Sequence, residues 1–99
     1  MASGTGSIEI DFGGHPGANE TSVGVTGLTG ITPAAFCEAW FMGNTSTADH
    51  TTADHAYAPT FIGLTCGDIV AGTGFIINAR SHHKMTGKFS VSYVWQVEE

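Results

Sequence analysis

Ile8, Ile10 and Phe12 alternate with Glu9 and Asp11, a period of two that lays the apolar side chains on one side of an extended chain and the acids on the other. The pattern predicts a strand over residues 7–12 with one wet face. Gly13-Gly14-His15-Pro16-Gly17 then breaks it, because glycine and proline supply the backbone angles a sharp reversal needs. Val23 and Val25 resume the alternation over residues 21–26, and residues 27–33 turn the chain again. Residues 34–42 read as a strand with Phe36, Glu38, Trp40 and Met42 on one face and Ala35, Cys37, Ala39 and Phe41 on the other. Both faces are mainly apolar, so this strand is expected in a central place. Residues 61–66, 75–80 and 88–97 complete the set, each bounded by turn-forming residues.

Short strands at this spacing, with no sustained 3.6-residue period, predict an all-β domain spanning residues 1–99: an antiparallel β-sandwich, jelly-roll or immunoglobulin-like, of six to eight strands. Its expected core is Ile8, Ile10, Phe12, Val23, Val25, Phe36, Trp40, Phe61, Ile62, Phe75, Ile77, Phe89, Val91, Tyr93 and Trp95. Residues 43–59 form one long polar loop, in which Thr52 is expected to cap a single helical turn running to Tyr57. Loops of this length are usually functional sites, interaction arms or disordered.

Composition narrows the function. Only 12% of the residues are charged and the formal net charge is −6, well below the charged quarter of an ordinary soluble domain. So bare a surface points to extensive contact with other protein, and the acidic balance argues against nucleic acid as a partner. The first residues carry neither a basic segment nor an apolar core of a secretion signal, and no apolar run approaches the roughly 20 residues of a membrane helix. Synthesis in a cytosol, with no membrane partner, is the expectation.

Three groups of residues carry candidate chemistry. The loop repeats Thr-Ala-Asp-His, placing Asp49 with His50 and Asp54 with His55, close to Tyr57. Carboxylate and imidazole are metal ligands, but a five-residue step turns about 140° round a helix and changes face on a strand. A solvated, hydrogen-bonded loop or a subunit contact is therefore expected, with no metal. Every Lys and Arg lies within residues 80–88, where Arg80, His82, His83, Lys84 and Lys88 make a basic segment suited to docking on the acidic surface of a neighbour. Its alternative is a solvated hairpin tip. Cys37 and Cys66 both fall in predicted strands; free, buried thiols are expected in a reducing compartment, and a bridge between them stays open. Catalytic templates are missing: there is no G-x-S-x-G elbow, no phosphate loop and no H-E-x-x-H, while Gly72-Thr73-Gly74 runs into a strand. No enzymatic activity and no cofactor are expected.

The run from Ser3-Gly4-Thr5-Gly6-Ser7-Ile8-Glu9-Ile10-Asp11-Phe12 through Glu38-Ala39-Trp40, Asp49-His50 and residues 74–80 to Gly87-Lys88-Phe89-Ser90-Val91-Ser92-Tyr93-Val94-Trp95 resembles small β-structured virion proteins of tailed bacteriophages. The resemblance covers nearly the whole chain, rests on style and composition, and carries over no binding residues. It implies a structural virion component, either capsid decoration or cement or a tail, neck or fibre module, made in the host cytoplasm and contacting other virion proteins. A homo-oligomer, a trimer first, follows as the expected assembly. The rival expectation is a host-attachment module that grips a glycan with the long loop and exposed aromatics.

Overall fold

A computed structural model describes residues 3–97. Six strands form: β1 (Ser3–Asp11), β2 (Ala18–Val25), β3 (Phe36–Trp40), β4 (Ile62–Val70), β5 (Gly74–Met85) and β6 (Lys88–Gln96). They build two antiparallel three-stranded sheets, β1-β6-β3 and β2-β5-β4. The sheets stack with β1 over β2 and β3 over β4. The chain thus runs out as β1-β2-β3 and back as β4-β5-β6, with β1 on β6 and β2 on β5. This double arm is rolled so that β3 closes on β6 and β4 on β5, the wrapped path of a jelly roll shortened to three strands in each arm. The all-β sandwich is as the alternation predicted.

Between the sheets lie Ile10, Phe12, Val25, Ile62, Phe75, Ile77, Phe89, Val91 and Trp95, all expected core residues. Ile31 and Ala58 join them from segments expected as turn and loop, and Phe41, Ala79 and Val97 from expected strands whose core residues did not include them. Ile31 reaches the core because its loop docks on the β4-β5 hairpin, Gly72 donating to the Ile31 carbonyl and Leu28 to that of Thr73.

Three expectations need correction. β3 is an edge strand and not a central one: it pairs only with β6, and Phe36 and Trp40, expected in the core, are 65% and 37% exposed. Its other face does the packing, with Cys37 and Ala39 half-buried and Phe41 buried just beyond the strand. β1 begins at Ser3 and not at Ser7, because Gly4 and Gly6 stand opposite Trp95 and Tyr93 and the two rings lie across them. A Cβ on Gly4 would come within 2.7 Å of the Trp95 indole nitrogen, so rings borrowed from β6 supply the packing that Ser-Gly-Thr-Gly-Ser lacks. β5 continues to Met85, five residues past the expected end, carrying the polar His82, His83 and Lys84 as exposed strand rather than as a turn.

Candidate functional site

The polar loop after β3 does not float. It folds back onto the start of β6 and clamps Phe89. Thr47 donates its hydroxyl proton to the Lys88 carbonyl, and the Asp49 carboxylate accepts the Lys88 N–H at 2.9 Å. The His50 ring stacks on Phe89 with centroids 3.8 Å apart, while His55 meets it edge-on at 5.4 Å. Phe12 and Phe41 close the other sides of the same ring.

Helix α1 (Thr52–Tyr57) forms as expected, with its cap one residue earlier than predicted, at Thr51. The Thr51 hydroxyl accepts the Asp54 N–H, and the Asp54 carboxylate accepts the Thr51 N–H in return, a reciprocal capping box. These contacts to the anion, the Thr51 N–H first and the His50 ring second, hold the Asp54 carboxyl below the usual carboxylate value. The helix begins between His50 and His55, so the helical arithmetic of the repeat never applies to the pair.

The two imidazoles differ in what they require. His55 is fully buried. It donates from Nδ1 to the Thr51 carbonyl at 2.8 Å and accepts the Ser90 N–H on Nε2 at 2.8 Å, the pattern of a neutral ring with one proton. His50 has the Asp54 carboxylate 3.1 Å from Nδ1 and the Thr86 carbonyl 2.6 Å from Nε2. Both partners only accept, so the contacts are complete when the ring carries two protons. Among the described residues no cluster of His, Cys, Asp or Glu is arranged to hold a metal ion. The repeat is a structural clasp. His55, expected as a loop contact, is enclosed and offers a partner nothing, whereas Asp49, Asp54 and Tyr57 remain exposed.

The basic segment is divided by the fold. Arg80, His82 and Lys84 alternate along the outer face of β5, and Arg80 pairs with Glu20 of β2 at 3.1 Å. His83 points the other way, against the edge of Phe61, and Lys88 opens β6 in the opposite sheet, next to Asp11 in register. Sequence proximity therefore overstates the cluster: three cationic or titratable groups share a face and two do not.

Two surfaces went unmarked in the sequence. Along β3 an apolar stripe of Phe36, Trp40 and Met42 faces solvent, and the Trp40 indole N–H donates to the Met42 sulfur at 3.1 Å. Glu38, alternating between Phe36 and Trp40, was the available signal, since an unpaired carboxylate does not enter a core. Second, a shallow groove of about 700 Å³ crosses the outer face of β2-β5-β4, bounded by Glu20, Ser22, Gly63, Thr65, Asn78 and Arg80. Its signal was the recurrence of short side chains at alternate positions. The thiols lie between the sheets where β3 covers β4. Both are free and half-buried, and burial raises both, Cys66 to about 11 with the nearby Cys37 and Glu38 adding to the effect.

Comparison with known protein families, with curated proteins and with solved structures finds no match to the chain.

Proposed function

We propose that the chain is a non-enzymatic structural subunit of a bacteriophage virion, a capsid decoration or cement protein or a tail, neck or fibre component, that self-associates and binds neighbouring virion proteins. The observation that carries the reading is the stripe of Phe36, Trp40 and Met42 on an edge strand. Long exposed aromatics beside an unpaired strand edge are a liability in a free monomer and an asset in an assembly, where they become the anchors of a contact. The low charge and the resemblance to small virion proteins support the same role. Glu38 inside the stripe sets what a neighbour must offer: an apolar surface with a cation or hydrogen-bond donor at its centre.

Imaging of intact particles with the protein located in them tests the proposal. Copies spread over the shell identify a decoration or cement subunit, and a ring or tuft at one vertex or on the tail identifies an appendage. Particles that lack the protein reject the reading.

One observation favours a second reading, attachment to a host glycan. Tyr57 is 67% exposed and Trp40 is also accessible, and exposed rings are the surfaces on which sugars stack. Binding to a glycan array that is lost on Tyr57→Ala or Trp40→Ala would establish it.

A further inference from the structure

The outer face of β2-β5-β4 is organised in ranks by the strand register. Glu20 stands beside Arg80 and Gly63, Ser22 beside Asn78 and Thr65, and Gly24 beside Ile76 and Gly67. The register irregularities of the sheet, between Ala18 and Glu20 and between Gly67 and Val70, fall just outside these ranks, so the ranked patch is regular. Within it the only charges are Glu20 and Arg80, whose side chains are 68% and 81% exposed. Every other side chain in the ranks is short and uncharged, apart from the half-buried Ile76 and the exposed amide of Asn78.

We propose that this face binds a second copy of the same chain about a two-fold axis that runs parallel to the strands between β2 and β5. Such an axis lays β2 of each copy over β5 of the other. Each rank then meets its complement: Glu20 faces the partner's Arg80, the Ser22 hydroxyl faces the partner's Asn78 amide, and Ile76 faces the partner's Gly24, where the one neighbour within the chain is that copy's own Ile76 methyl. A two-fold contact must be self-complementary in this sense, with residue i meeting j and j meeting i. The two intramolecular Arg80 and Glu20 pairs become a closed square of alternating charge.

Charge also selects this axis over its neighbours. An axis along β5 would stack Arg80 on the partner's Arg80. An axis between β5 and β4 would bring both Arg80 side chains over the two Gly63 positions and leave each Glu20 outside the contact. Of the three, only the β2/β5 axis sets each of these charges against the opposite charge of the partner as well as its own. Glycine and serine at the surface let the faces approach more closely than the roughly 10 Å usual for stacked sheets. The pairing specifies the self-association proposed above and stands apart from any particle; a trimer built through another surface would be doubled by it.

Sedimentation equilibrium or light scattering on the full chain tests the inference. A dimer is expected, weakened at least tenfold by Arg80→Glu and by Glu20→Arg singly and restored in the double variant, where the charges are exchanged. Gly24→Leu should also dissociate it by filling the space for Ile76. Within its own chain a Cβ at Gly24 meets only the Ile76 methyl, at 3.6 Å, and circular dichroism of the variant separates loss of the dimer from loss of the fold. A parent that stays monomeric at its solubility limit overturns the proposal. So does a dimer indifferent to Arg80→Glu, or an exchanged double variant that remains monomeric. None of these outcomes bears on the location of the protein in particles, which imaging decides separately.

Discussion

Cys66 sits half-buried between the sheets with its thiol pushed up to about 11 from an ordinary 9.0, first by burial and then by Cys37 and Glu38. The unfolded chain therefore releases this proton at lower pH than the folded one. Stability contributed by the neutral thiol is whole below about 9 and is lost as the pH rises towards 11, and Cys37, shifted in the same direction, adds to the slope. The thiolate is the reactive form, so alkylation of the native protein at pH 8 should be slow against a free thiol and should accelerate as the pH approaches 11. A native Cys66 that alkylates at pH 8 as fast as a model thiol would show that the sheets do not enclose it. The same economy of protons governs the histidines. His55 donates from Nδ1 and accepts the Ser90 amide on Nε2, while His50, stacked on Phe89, has two partners that only accept.

At the scale of elements, the clasp explains how a polar loop becomes part of the core. His55→Leu puts an apolar group of similar size in the same place but leaves the half-buried Ser90 N–H without its acceptor, a loss of about 1–3 kcal/mol. The urea midpoint should fall accordingly with little change in slope. An unchanged midpoint would mean that water reaches Ser90 and that the loop is loosely held. Nothing in the repeat announced this role, because the contacts join His50 to Thr86 and His55 to Ser90, far along the chain. Strands were legible where one face is wet and the other dry: Ile8, Ile10 and Phe12, or Phe75 and Ile77, alternate cleanly and lie where the period placed them. β3 misled because apolar residues on both faces describe a central strand and an edge strand with a sticky outer face equally well. The sheet order separates them, and local pattern does not encode sheet order. β5 ran past its expected end because strand pairing with Ala18 and the docking of His82 on the Phe61 carbonyl hold polar residues extended.

For the whole molecule, 42 Å long and little more than 20 Å across in the other two directions, the placement of its surfaces matters more than any single group. The β3 stripe belongs to one sheet and the ranked patch to the other, so the two proposed contacts face different directions and would not exclude one another. A linear or layered assembly needs this separation, since overlapping contacts would compete. The stripe lies outside the core cluster, which contains neither the 65% exposed Phe36 nor the 37% exposed Trp40, and surface substitutions away from packed or capped positions usually change stability by about 0.5 kcal/mol or less. Phe36→Ser with Trp40→Ser should therefore leave the fold and the proposed β2/β5 pairing in place, and should raise solubility by removing an exposed apolar edge. Under the proposed virion role, incorporation into particles should collapse, because aromatic anchors at the centre of a contact are each worth about 2 kcal/mol or more, and two of them together correspond to a loss of roughly a thousandfold in affinity. Particle occupancy, read by quantitative gel or by density at the subunit position, checks the outcome. Full occupancy by the double variant would remove β3 as the docking element.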